Sequence, residues 1–276
     1  MQVITARPSI FLHLLIVFSL LIGLPAVAAD AKPELKPFTL VVKDPLKSMP
    51  DYSTISHIPA RKDAFFKALL PLVLYENQRI TWQREQLLAA NQQVKNGKKL
   101  NAKDLKNVTE ISSRYGLEWP LEEKDWAVVN NKVQPVPADL VLMQAANESA
   151  WGTSRFAREG NNLFGQWCFT QGCGLVPSGR DKGKSHEVRK FATVLESVQA
   201  YMVNINTHRA YTDLRDIRQK MNKSNQKVGG IDLAPGLLSY SERRQAYVDE
   251  LVQMIRTNTK YVEKAMTEVG VPFLNQ

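Results

Sequence analysis

The chain has 276 residues, with 36 Lys and Arg against 27 Asp and Glu for a formal charge of +9, and two cysteines. The basic balance suits an anionic polymer; cell wall, a membrane surface and nucleic acid all qualify, charge alone does not choose among them, and it serves solubility equally well. The two cysteines form no CxxC, the histidines lack HxxxH spacing, and no Gly-rich phosphate loop, Ser/His/Asp set or nucleic-acid motif stands out, so no metal, cofactor or nucleic-acid partner is expected.

At the start, Arg7 precedes an apolar run from Ile10 to Leu24 that closes in the small residues PAVAAD. This is the pattern of a secretory signal peptide over residues 1–28, with cleavage expected after Ala28 or Ala29. Its removal takes away one arginine and no acid, so the mature charge is +9 − 1 = +8. Later stretches are too short or too polar to span a bilayer, and the mature protein is expected outside the cytoplasm, periplasmic or secreted. Residues 29–60 are proline-rich and weakly patterned, an extended arm in which FTLVV is at most a short strand.

From Arg61 the pattern becomes helical. Phe66, Leu69, Leu70, Val73, Ile80, Leu87 and Leu88 recur at steps of three, four and seven, with Pro71 expected to kink or divide the helix. After a basic turn at Asn96-Gly97, Leu105, Val108, Ile111 and Tyr115 mark a second helix that stops at Gly116. Residues 61–125 are therefore expected as an N-terminal helical region packed on the core, and 126–276 as the main domain.

Leu140 to Ala146 are apolar almost all round, which predicts a helix buried on several sides, with Pro137 in its first turn. KSHEVRKFATV alternates loosely enough for a strand, and helices are expected over Val194–Thr207, Tyr211–Lys220 and Ser241–Met266, separated by the turn-forming SNQKVGGIDLAPG. Cys168 and Cys173, in CFTQGC, can close a small loop by a disulfide in an oxidising compartment or remain thiols.

Glu148 falls in the last turn of the buried helix, where the helix dipole disfavours a carboxylate. Partial desolvation by neighbours such as Trp151 or Phe164 would add to that, and both effects favour the protonated acid. A protonated glutamic acid is what glycoside cleavage requires, because the departing sugar oxygen must gain a proton. Spacing alone favours an exposed helix-end charge instead.

The stretch ANESAWGTSRFAREGNNLFG resembles the signature of bacterial peptidoglycan N-acetylglucosaminidases of glycoside hydrolase family 73, which include flagellar muralytic enzymes, autolysins and Bax proteins. LESVQAYM around Tyr201 and HRAY ending in Tyr211 look like later segments of that family, and PARKDAFFKALLPLVLYENQRI with YSERRQAYVDELVQMI look like flanks of its Bax subgroup. The resemblance covers most of residues 55–258. It implies an α+β, predominantly helical, lysozyme-like fold with a small β-lobe and additional N-terminal helices, acting on peptidoglycan glycan strands.

Carried over residue by residue, the resemblance makes Glu148 the general acid and places Asn162 to Gly165 on the family's Asn-Leu-Phe-Gly segment. Glu187 is the candidate β-lobe acid and Asp181 its runner-up; the alternative is assistance by the sugar's own acetamido group. Tyr211 resembles a tyrosine thought to contact substrate or intermediate. Trp151, Phe164 and Trp167 can stack on sugar faces or fill the core, Asn161 and Asn162 can bond sugar hydroxyls or shape a turn, and Gly165 and Tyr201 complete the candidate binding set. Competing readings are a catalytically weak wall-binding or structural envelope protein, and a muramidase or lytic transglycosylase on the same fold.

Overall fold

The path of the chain is set by one long helix and the elements that bury its apolar stripe. The computed structural model describes residues 35–39, 44–180 and 183–270, all within one compact unit, Pro33–Gln276. The leader, most of FTLVV and Asp181 lie outside the described residues.

Helix α1 runs unbroken from Ile58 to Lys95 through Pro71. The expected division does not occur, and the reason is where the proline sits. Leu69, Leu70, Leu72 and Val73 are buried around it, while Pro71 and Lys67, four residues earlier, are exposed, so the helical bond that the proline removes lies on the exposed side of the helix. Burial of each large apolar side chain contributes about 1.5–3 kcal/mol, enough to carry the helix across one lost bond.

Helix α2 (Ala102–Arg114) packs on α1, begins with Asn101 accepting from the Asp104 N–H, and ends before Gly116 at φ +71°. Helices α3 (Asp125–Lys132) and α4 (Ala138–Glu148) follow, and α4 packs against α1. Every α4 residue from Ala138 to Ala146 except Asp139 is buried, as its all-round apolar pattern predicts.

After the short α5 (Arg155–Gly160) come strands β1 (Trp167–Cys168), β2 (Gly174–Leu175) and β3 (Glu187–Arg189), an antiparallel sheet in the order β1-β3-β2. Trp167 pairs with Val188 and Cys168 with Glu187; Gly174 pairs with Arg189 and Leu175 with Val188. Cys168 and Cys173 are joined by a disulfide.

The chain returns to helix in α6 (Val194–Thr207), α7 (Thr212–Lys223), the single turn α8 (Gly230–Leu233) with a 3-10 continuation at Ala234–Leu237, and α9 (Gln245–Val269). Helix α9 packs on both α1 and α4, closing a predominantly helical α+β fold. Among the described residues no helix is long and apolar enough to cross a membrane.

The described part of the N-terminal arm packs on the helices as a strap. Trp82 donates to the Lys36 carbonyl at 2.7 Å, Met49 and Tyr52 are buried, and the Leu46 and Pro45 carbonyls accept the first N–H groups of α6 at 2.8 and 3.3 Å. Those N–H groups have no partner within their own helix, so the strap satisfies them.

Candidate active site

Glu148 is the last residue of α4, and the backbone turns away from it at once. Ala150, Trp151 and Gly152 have φ of +49°, +60° and +78°, three successive left-handed residues of which two carry a Cβ. Such a conformation costs energy in non-glycine residues and persists where the surroundings impose it. Here the Trp151 N–H bonds the Ala146 carbonyl at 2.8 Å, and the Gly152 N–H bonds the Ser149 hydroxyl at 2.8 Å.

Burial raises the Glu148 pKa above the ordinary carboxylate range, and the charge of Glu250 adds to the rise. A side-chain hydrogen bond from Tyr247 and the charge of Arg243 oppose it. Arg243 and Glu250 form an ion pair with each other at 2.6 Å. The desolvating effect comes first, so the protonated acid is favoured, in the same direction as the negative end of the α4 dipole.

Tyr247, in the first turn of α9, belongs to a buried relay. The Gln144 amide donates to the Tyr247 hydroxyl at 2.9 Å, and the Tyr201 hydroxyl donates to the Gln144 carbonyl oxygen. Gln144 lies one helical turn before Glu148 on the same face, so one helix carries both the acid and the group that orients its partner. Tyr240 stacks on Tyr247 with centroids 5.3 Å apart and donates to the Phe164 carbonyl at 3.2 Å, and Tyr211 lies 6.0 Å from Tyr240. The Glu148 charge helps to push the Tyr211 and Tyr247 hydroxyls up, after burial as the leading cause, so both remain protonated donors.

Gly165 lies directly against the acid: a Cβ built there would stand 4.0 Å from the Glu148 Oε2. Its φ of +66° and its exposure leave an open approach where a side chain would intrude.

The other candidate binding residues lie deeper. Tyr201 is 1% exposed and Phe164 4%, with their rings stacked at 4.0 Å, so Tyr201 reaches Glu148 only through Gln144 and Tyr247. Trp151 is half-buried with its ring edge-on to Phe65 and Phe66 of α1 and under the Lys62 ammonium. The Asn162 amide donates to the Gln166 and Arg189 carbonyls while its oxygen accepts from Phe164 and Gln166 N–H; Asn161 donates to the Lys47 and Phe191 carbonyls. Both amides brace backbone.

Glu187 is on β3, buried, with one oxygen accepting from the Gly172 N–H at 3.0 Å and the other from the Gly174 N–H at 2.8 Å. These two bonds hold its pKa below the ordinary value, the reverse of Glu148. Among the described residues, Cys168, Cys173 and Glu187 form the cluster with donor atoms within 4.8 Å of one another, but the two sulfurs are bonded together and leave no thiolate for a metal. A cavity of about 470 Å³ opens elsewhere, lined by Pro137, Arg218 and Val228 at the N-terminal end of α4, about 16 Å along the helix from Glu148.

Tyr240, Tyr247 and Gln144 stand around Glu148 in the structure, and sequence patterning passes over them. Each reads as an ordinary helix or loop residue, and only the crossing of α4 with α9 brings them to one point.

Residues 124–260 match the glucosaminidase family, described as mannosyl-glycoprotein endo-beta-N-acetylglucosaminidase. Protein bax of Escherichia coli (strain K12) is 32% identical over 221 residues, which cover 79% of this chain and 77% of that protein. No solved structure matches the chain. With the family match over residues 124–260 and a relative matching over most of both lengths, the chain belongs to the glucosaminidase family of glycoside hydrolases, as a Bax-like member.

Proposed function

We propose that this protein is an exported peptidoglycan hydrolase that cleaves β-1,4 bonds on the N-acetylglucosamine side, with Glu148 as general acid. The observation that carries the proposal is the place of the Glu148 carboxyl, at the end of the buried helix α4 and beside the open backbone of Gly165, where burial raises its pKa. From there it can pass its proton to the glycosidic oxygen as the bond breaks. Peptidoglycan as substrate is supported by the resemblance to wall hydrolases, by the basic balance and by the leader pattern, which would export the chain to the wall.

The two oxygens of Glu187 are occupied by backbone N–H groups, which supports a route needing one protein carboxylate. In that route the sugar's acetamido oxygen attacks the anomeric carbon as the glycosidic bond breaks and Glu148 protonates the leaving oxygen; water then adds to that carbon, displacing the acetamido oxygen and giving one proton to the Glu148 carboxylate. Purified sacculi incubated with mature protein should release fragments ending in reducing N-acetylglucosamine, read by mass spectrometry. Muramic-acid reducing ends or anhydro sugars would assign the muramidase or lytic reading instead, and tight binding with no release would assign a wall-binding protein.

Tyr247→Phe gives a second readout on the acid. The hydroxyl it removes stabilises the Glu148 anion, so its loss raises the Glu148 pKa further. Activity that needs the protonated acid falls as pH rises through that pKa, so the alkaline limb of the kcat/KM profile should move to higher pH in the variant. An unmoved limb would show that some other group sets it.

A further inference from the structure

The β-lobe displays rings to solvent that its own fold does not use. Trp167, at the start of β1, is 58% exposed, and Phe169, just beyond that strand, is 71% exposed. Their support is rigid. One face of the Trp167 indole lies on the His186 imidazole, centroids 4.1 Å apart and planes 22° from parallel, and among the described residues the opposite face has no ring partner.

The next residue on β3, Glu187, pairs with Cys168 and takes the Gly172 and Gly174 N–H groups, and the disulfide from Cys168 to Cys173 ties the same loop. Thus His186 backs the ring from one side while Glu187 and the disulfide fix the strand that carries it. Asn162 joins this mount to the acid's surroundings, bonding the Gln166 and Arg189 carbonyls, while the Arg189 N–H bonds the Gln166 carbonyl at 2.8 Å.

Its distance from the acid follows from the backbone. Gly165 lies against Glu148, and Trp167 is two residues further on, so their Cα atoms are at most about 7 Å apart.

We propose that Trp167, with Phe169 beside it, is an aromatic platform for a pyranose ring of the β-1,4 glycan strand next to the residue whose bond Glu148 breaks, and that Glu187 is a positioning residue for this platform. The proposal rests on the glycan-cleaving role given to Glu148. The C–H face of an N-acetylhexosamine is apolar and flat enough to cover the open indole face, while its hydroxyl and acetamido edges stay in water. Exposed aromatic rings held rigid lose little entropy on binding, which favours a recognition use over a packing one. Arg180, which bonds the His186 carbonyl at 3.1 Å, together with Arg189 and Lys190 at the exposed end of β3, gives this lobe a cationic rim that matches the carboxylates borne by wall glycans.

The test separates binding from chemistry by using Glu148→Gln as the parent. Calorimetric titration with a β-1,4 N-acetylglucosamine tetramer, and co-sedimentation with purified sacculi, are compared for the parent and for the parent carrying Trp167→Ala, Trp167→Phe or Phe169→Ser. Trp167→Ala should weaken both by about three- to tenfold, and Trp167→Phe should restore most of the loss. In the otherwise wild-type enzyme the same loss should appear as a raised KM, with kcat less affected.

Unchanged tetramer and sacculus binding in Trp167→Ala overturns the platform. Because both rings are exposed, the fold should persist; should Trp167→Ala melt early, Phe169→Ser decides, with unchanged binding again overturning the idea. Turnover that survives in Glu148→Gln would sink the acid assignment while the binding comparison still reads the platform.

Discussion

Glu148→Gln should lower the rate of wall digestion by a factor on the order of 10² to 10⁴, the usual worth of a positioned proton donor. The substitution keeps the size of the side chain and an oxygen for Tyr247 to bond, but it removes the transferable proton. The fold should gain rather than lose at neutral pH. An acid whose pKa is raised by folding binds its proton more tightly in the native state, so its contribution to stability is present below the ordinary value of 4.5 and is lost as pH rises through the raised native value. Glutamine does not titrate, so the variant should melt above the wild type at pH 7 and the difference should shrink as pH falls toward 4. Normal turnover together with an unchanged melt would remove Glu148 from the mechanism. Glu187→Gln is the companion: it replaces an oxygen that accepts a backbone N–H with an amide that cannot, so it should loosen the Gly172–Gly174 loop and raise KM without moving the alkaline limb of the pH profile.

The helices were legible wherever burial follows a single period. Leu140 to Ala146 read as a helix buried all round and is one, and Val194–Thr207 carries both predicted ends, since Thr193 caps it and the strap supplies its first acceptors. Pro71 does not divide α1, because a local rule about helix interiors does not state which face the proline occupies. SNQKVGGIDLAPG reads as turn, yet Gly230–Leu237 folds into two short helical pieces, with the Gly230 N–H held by the Asp139 carboxylate 91 residues away.

In the candidate site, the place of Glu148 in the last turn of a buried helix is legible from the apolar pattern before it, and the structure puts it there, whereas the approach of Gly165 to it is not a matter of pattern. Tyr240, Tyr247 and Gln144 carry no local exception, since their roles exist only once α9 crosses α4. Polar residues in a motif are ambiguous in the opposite way. Asn161 and Asn162 look equally suited to sugar hydroxyls and to backbone, and the choice depends on carbonyls at Lys47, Arg189 and Phe191 that no local reading brings near.

Gly236→Ala should be among the most damaging single changes in the chain, through backbone contact rather than through chemistry. A Cβ at Gly236 would stand 2.3 Å from the Leu214 Cα and 2.4 Å from its backbone nitrogen, both buried where the 3-10 turn meets α7. No flexible side chain can yield there, so the two backbones must separate. Overpacking of this kind costs about 1–3 kcal/mol and more where backbone must move, which for a domain of this size lowers Tm by several degrees, at roughly 2–4 °C per kcal/mol. The displacement also reaches the acid. Tyr211 precedes α7 directly, and Tyr240 follows the 3-10 turn by three residues, so forcing the two elements apart shifts the rings that stand 6.0 Å from each other beside Glu148. Even at temperatures where Gly236→Ala is fully folded, kcat should therefore fall more than sacculus binding, since Trp167 sits on the separate mount of the β-lobe. Measuring melting, turnover and co-sedimentation on one preparation checks this. A variant that melts and turns over like the wild type would show that α7 and the 3-10 turn do not meet as closely as the 2.3 Å approach requires.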